Sequence, residues 1–302
     1  MYPLVSIVIT TRNEEKNIGT CLLSIKNQSY PEKMIEIIVV DNNSADRTKE
    51  IAGRYTDLVY NHGPERSAQR NYGIIEKAQG EYAMFLDADM ILAFDLIKSA
   101  IELMLKENLA ALHISEIVLG RSFWSRVRRF ERSFYDGTVM DGARFFRKDV
   151  FVKVGGFAES MCGPEDWDID KKIKQSKKIG LIKAEKGLVA PAWPLFNFIK
   201  TRGVEPNNHR AVIFHNEAEF NLKKYLSKKS YYAKSFDIYI NKWGKNDPDI
   251  KKQFGLWYRY FGVFIENGKW KELIMYPILT LGMYFLRFLV GLKFLTRKDL
   301  KN

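Results

Sequence analysis

Apolar runs alternate with amphipathic stretches through the first third of the chain, and this alternation constrains the fold more than any other feature. The runs are VSIVITT (5–11), IEIIVVD (35–41), DLVYNH (57–62) and YAMFLDAD (82–89). Between the first two, NEEKNIGTCLLSIKNQ sets Ile18, Leu22 and Ile25 on one face at four- and three-residue spacing, with Asn13 as the expected N-cap. SADRTKEIAGRY and ERSAQRNYGIIEKAQ follow the next two runs as further helices. Strand and helix in alternation predict βαβ units and an α/β fold built on a mostly parallel sheet. Ligands of such sheets bind beyond the carboxyl ends of the strands, where Asp41 and the pair Asp87 and Asp89 fall.

A buried strand gains nothing from two like charges at its tip. Asp-x-Asp there suits a divalent cation and a diphosphate, because two hard oxygen ligands hold Mg²⁺ or Mn²⁺ and leave positions open for phosphate oxygens. The plainer alternative is a pair of turn-forming aspartates. Cys21 and Cys162 are the only cysteines, too few for a disulfide framework, and they fit a reducing environment. The N-terminus opens almost directly on a strand-like run, so no secretory signal is expected.

The formal charge of +12 is unevenly placed. Residues 1–220 carry 31 Lys and Arg against 30 Asp and Glu, whereas residues 221–302 carry 17 against 6. That basic block also contains LIMYPILTLGMYFLRFLVGLKFL (273–295), in which Arg287 and Lys293 are the only charges. Its uninterrupted uncharged part, 273–286, would be about 21 Å long as a helix, short of the roughly 30 Å hydrocarbon thickness. An interfacial or re-entrant helix, a single span and a buried core helix all remain open. Either membrane reading makes an anionic membrane surface the partner of the basic block, and with no nucleic-acid module in the chain, nucleic acid is not expected as a partner. RSFWSRVRRFERSFY (121–135) reads as a second basic, aromatic, amphipathic helix.

Four stretches in order, through residues 4–184, resemble the inverting family 2 glycosyltransferases of GT-A fold. They are VSIVITTRNEEKNIGTCLLSIKNQSYP, IIVVDNNSADRT, GPERSAQRNYGIIEKAQGEYAMFLDADM and ARFFRKDVFVKVGGFAESMCGPEDWDIDKKI. The resemblance implies a GT-A catalytic domain at 1–220 and a helical membrane-association region at 221–302, working at the cytoplasmic face of the cell membrane. It implies that Thr10, Arg12, Glu14 and Asp41 line the nucleotide, that Arg66 and Arg70 face the donor diphosphate, and that Asp87 binds sugar or ribose. It further implies a metal, Mn²⁺ or Mg²⁺, on Asp87 and Asp89, with the late His215 as a possible third ligand. Asp166 of GPEDWDID matches the family's base, with Glu165 and Asp168 as rivals for the role. Trp167 and Trp193 could stack on sugar rings or simply pack in the core. The implied reaction moves a hexose from GDP-mannose or a UDP-hexose to a hydroxyl of a lipid-linked saccharide. A polyprenyl-phosphate acceptor, already ionised and needing no base, is the alternative, and a non-catalytic protein of the membrane surface is the second. A QxxRW element of processive synthases is not evident after Gln175.

Overall fold

The computed structural model describes residues 2–184, 186, 187, 189 and 192–295. β1 (Val5–Thr11) is buried along its whole length, as a central strand covered on both faces must be. It pairs in parallel with β2 (Ile35–Asp41) on one side and β4 (Tyr82–Asp87) on the other, and β2 carries β3 (Val59–Asn61). The sheet continues through β8 (Phe145–Arg147) to β6 (Ala111–Ile114) and β9 (Ile179–Ile182), in the order β3-β2-β1-β4-β8-β6-β9. Only β8 runs against the others. The register aligns Thr10 with Asp87 and Thr11 with Asp41, so three strands present their polar ends at one edge.

Helices α1 (Ile18–Lys26), α2 (Thr48–Ala52), α3 (Arg66–Asn71) and α4 (Leu96–Glu107) supply the crossovers. On α4 the residues Leu96, Ile97, Ala100, Ile101 and Met104 form one buried stripe, and Asn108 ends the helix in the left-handed conformation. The first helix departs from expectation. It begins at Ile18, and Asn13 instead lies in the preceding loop at φ 55°. There its side-chain oxygen accepts from the Ala45 amide while its own amide donates to Ser44, tying the loop after β1 to the loop after β2.

A second sheet completes the site side. β10 (Ile213–Asn216) lies between β5 (Met90–Leu92) and β7 (Glu116–Leu119), antiparallel to the first and parallel to the second. α5 (Phe123–Arg132) follows β7, α6 (Lys148–Lys153) follows β8, and α7 (Glu165–Lys174) precedes β9; α8 (Phe196–Thr201) stands before β10.

Beyond residue 220 the described chain is helical: α9 (Leu222–Tyr232), α10 (Phe236–Trp243), α11 (Pro248–Phe254), α12 (Val263–Ile265), α13 (Trp270–Met275) and α14 (Pro277–Leu295). α14 packs on α5 closely enough that a Cβ on Gly282 would lie 2.7 Å from Val127. Its Met283 and Leu286 are buried while Ile278, Leu281 and Phe288 stay exposed. Arg287 turns inward, 3.1 Å from Glu131 and donating to the Tyr135 hydroxyl. Among the described residues no helix is long and apolar enough to cross a membrane. The charge that would have burdened a span is instead neutralised inside the fold.

Candidate active site

A cavity of about 460 Å³ opens at the polar edge of the large sheet, and Arg66, Arg70, Asp87, Glu165, Asp166 and His215 all line it. Asp87 arrives as the last residue of β4, Arg66 and Arg70 on successive turns of α3, Glu165 and Asp166 at the start of α7, and His215 from β10. Gly142 makes room for the second pair, since a Cβ there would meet the Asp166 Cβ at 2.7 Å.

Arg70 is the hub. It is 1% exposed, lies over the Phe85 ring at 4.0 Å, and donates to Asp87 and to Asp166, each at 3.1 Å. Its second contact within the acidic pair is Glu165 at 3.6 Å, and Arg66 repeats the bridge at 3.5 Å to Asp87 and 3.6 Å to Glu165. Burial would raise Asp87, but Arg70, Arg66 and Arg144 hold it well below the usual carboxylate range. Burial and the neighbouring Asp166 charge push Glu165 up against the pull of the two arginines.

The acids of the GPEDWDID segment part company here. Asp166 keeps 28% of its side chain exposed towards the cavity, whereas Glu165 is buried and accepts from the Gly163 amide. Asp168 is fully buried and faces the other way, paired with Lys242 at 2.6 Å and accepting from the Trp243 indole. That geometry leaves Asp166 the most exposed carboxylate of the three. Trp167 packs among Phe236, Tyr239 and Phe254 but is only partly buried and lines the cavity, whereas Trp193 is buried in the cluster around Phe214 and is a core aromatic.

The residues expected on the nucleotide side are unequally placed. Thr10 donates to Asp87 at 3.3 Å. Glu14 is held by Asn17 at 2.8 Å, and burial, with Asp89 and Asp87 behind it, raises its carboxyl. Arg12 is exposed in the loop after β1 and does not line the cavity. Asp41 is engaged within its own turn. It is 0% exposed, with Thr11 and the Ser44 hydroxyl on one oxygen and the Ser44 amide on the other, so in this conformation it organises its own turn.

The three side chains expected at the metal are unequally disposed. Among the described residues no group of three His, Cys, Asp or Glu side chains is arranged to hold a cation, because the Asp87 carboxylate faces arginines. Asp89 and His215 remain. The His215 Nε2 lies 3.1 Å from one Asp89 oxygen, and the other Asp89 oxygen is buried without a hydrogen-bond partner. An orphaned carboxylate oxygen beside an imidazole fits a divalent cation that draws its remaining ligands from a diphosphate. Burial pulls His215 down, but Asp89, by charge and hydrogen bond, with Glu217 and Glu116, pushes it up to about 9.

Sequence reasoning missed the outer wall. Glu116 on β7 is held at about 2 against its burial by Arg132 and Arg144. Arg144 donates to it at 2.5 Å and Arg132 lies at 3.2 Å. Tyr225, Lys228, Lys229 and Tyr232 of α9 also line the cavity, and the Tyr232 hydroxyl accepts from Arg66 at 2.8 Å. Their i, i+3, i+4, i+7 spacing is the signal that could have marked an inward helix face.

Comparison with known proteins agrees with this architecture. The family model described as Glycosyl transferase family 2 matches residues 6–158. An uncharacterized glycosyltransferase of Haemophilus influenzae is 38% identical over 120 residues, covering 37% of this chain and 46% of that protein. A beta-monoglucosyldiacylglycerol synthase of Trichormus variabilis is 26% identical over 200 residues, 58% of this chain and 42% of its own length. The chain thus spans less than half the length of these curated relatives. The mannosyltransferase PcManGT of Pyrobaculum calidifontis, solved with GDP-Man and Mn²⁺, superposes with a TM-score of 0.63 at 17% identity, covering 99% of this chain and 88% of that one. Such a likeness establishes the GT-A fold.

Proposed function

The chain belongs to glycosyl transferase family 2, and from that premise we propose that it is an inverting hexosyltransferase acting on a lipid-linked saccharide at the membrane surface. The observation that carries the proposal is Arg70, which ties Asp87 at the donor edge to Asp166 at the start of α7 within one cavity. A nucleotide-diphosphate sugar lies against the strand ends, with the diphosphate towards Asp89 and His215. Asp166 takes the proton from an acceptor hydroxyl as its oxygen attacks the anomeric carbon on the face opposite the leaving diphosphate. A divalent cation, when bound by Asp89 and His215, supplies charge neutralisation for the leaving group. Arg66 and Arg70 hold Asp87 ionised and orient Asp166, and the α9 wall limits water.

The donor reading, GDP-mannose or a UDP-hexose, draws support from the GDP-Man and Mn²⁺ of the archaeal neighbour. A lipid acceptor draws support from the glucosyldiacylglycerol synthase relative. Membrane association draws support from the exposed Leu256, Trp257, Ile274, Met275, Ile278 and Leu281 in the basic helical region. The cytoplasmic face is part of the same proposal.

The test is thermal unfolding with UDP, GDP, UDP-glucose and GDP-mannose, each with and without Mn²⁺. A ligand at 100 times its Kd adds about 2.7 kcal/mol. One nucleotide sugar should raise the melting point in a Mn²⁺-dependent way, Asp89→Asn should abolish the rise, and Asp166→Asn should keep it while losing transfer. Transfer surviving Asp166→Asn would favour a phosphate acceptor, and no shift with any nucleotide would overturn the donor site.

A further inference from the structure

The cavity runs past the carboxylates to a second group of charges. Arg128 of α5, Lys229 of α9, Arg287 of α14 and Arg259 also line it, and Glu131 is a carboxylate whose charge acts on all four. Glu131 is already engaged, 2.7 Å from Arg128 and 3.1 Å from Arg287, and Glu217 sits 3.3 Å from Arg128. Lys229 and Arg259 have no carboxylate within 4.0 Å among the described residues. The Lys229 ammonium has only the Tyr225 ring at 5.6 Å, and Arg259 donates to the Gln253 carbonyl at 3.1 Å.

Two half-buried cations facing a cavity beside two more, without a counter-ion, are costly unless an anion arrives. Burial and the charges of Arg128 and Arg259 pull the Lys229 ammonium down to about 7, and Glu131 offsets only part of this. The end of the cavity also reaches Val290 and Gly291 of α14, the helix whose outer face exposes Ile278, Leu281 and Phe288. An anionic head with an apolar tail suits both surfaces.

We propose that Lys229 and Arg259, with Arg128 and Arg287 behind them, form an anion subsite that holds the phosphate or diphosphate of a lipid-linked acceptor while its sugar reaches Asp166. The subsite is distinct from the donor edge, and its assignment to the acceptor rests on the function proposed above. A merely structural Lys229 would stabilise the empty protein; a desolvated cation kept for a ligand destabilises it.

Inorganic pyrophosphate, without divalent metal, is the first probe. It should bind the wild type and the Asp89→Asn protein alike, while Lys229→Met and Arg259→Gln each weaken binding by about tenfold or more. Without ligand, Lys229→Met should melt above the wild type. On the unmutated protein, pyrophosphate should protect Lys229 from acylation at pH 7, read by mass mapping, which keeps the test alive if a variant misfolds. A short prenyl diphosphate should bind more tightly than pyrophosphate; equal binding would overturn the lipid assignment. Unprotected Lys229, or pyrophosphate affinity indifferent to both substitutions, would overturn the subsite. Because these readouts use neither nucleotide nor transfer, loss of the nucleotide-sugar shift with Lys229 still protected would refute the donor reading and leave the anion site standing.

Discussion

Replacing Arg70 by Met keeps most of the side-chain bulk and removes the one cation shared by three acids. Carboxylate oxygens of Asp87 and Asp166 lie 3.1 Å from it and that of Glu165 lies 3.6 Å away. Removing one partner of a buried ion pair typically costs about 3–5 kcal/mol. Arg66 remains within 3.5 Å of Asp87 and 3.6 Å of Glu165, so the loss should sit at the lower end, about 3 kcal/mol. That is roughly a hundredfold in the folding equilibrium. The pH dependence has a definite sign. Asp87 is depressed in the folded protein, so its contribution is present above the unfolded value of about 3.9 and is lost as pH falls through the folded one. Without Arg70 that depression shrinks, so the variant should stay displaced from wild type from neutrality down to about pH 4 and converge on it only as pH falls further, towards the folded value. Urea unfolding at pH 7 and pH 4 measures this directly. A cycle with Asp87→Asn should give a coupling of about 1–3 kcal/mol. A variant within about 0.5 kcal/mol of wild type, or one whose displacement has already vanished at pH 4, would refute the account of Arg70 as a shared counter-ion.

Gly142→Ala puts a methyl against Asp166, and a displacement of about 1 Å should lower transfer by about a hundredfold; steady-state kinetics showing an unchanged kcat would contradict it. His113 is buried 2.5 Å from Asp170 and 3.5 Å from Asp141, and although burial pulls it down, those two acids raise it. Its stabilisation is therefore full below the unfolded value of about 6.5 and fades as pH rises through the folded one, and His113→Asn should flatten that part of the stability–pH curve in calorimetry. Ile278→Asp with Leu281→Asp replaces side chains that are 70% and 72% exposed, so folding should change by no more than about 0.5 kcal/mol each. Binding to anionic vesicles, followed by flotation, should fall at least tenfold, since each apolar side chain buried in lipid is worth about 1.5–3 kcal/mol.

The strands and the acidic strand end were legible because each is a local pattern, a run of Val and Ile closed by a carboxylate. What escaped the sequence depended on contacts between distant segments. Arg70 meets Asp166 across 96 residues and Arg66 meets Tyr232 across 166, and no spacing rule links such positions. Asp41 and Asp89 look alike at strand ends, yet a serine three residues downstream absorbs the first while the second keeps an unsatisfied oxygen. The charge count of residues 221–302 does not reveal that Lys229, Arg259 and Arg287 turn into the cavity. Net charge reports how many cations a segment holds, while burial decides which way each one points.

The three-stranded sheet sets how this chain can be taken apart and recombined. A piece trimmed to residues 6–158, the stretch matched by the family model, would retain Asp87 and Asp89 but carry neither Asp166 nor His215. Ending it anywhere before Ile213 would leave β5 and β7 as raw edges, open to pairing with other molecules. Strand pairing in both sheets is therefore complete only in a piece that runs from β1 through β10. In chimaeras that exchange the C-terminal helices, the seam belongs just after Asn216, where a new α9 could be grafted onto an intact second sheet.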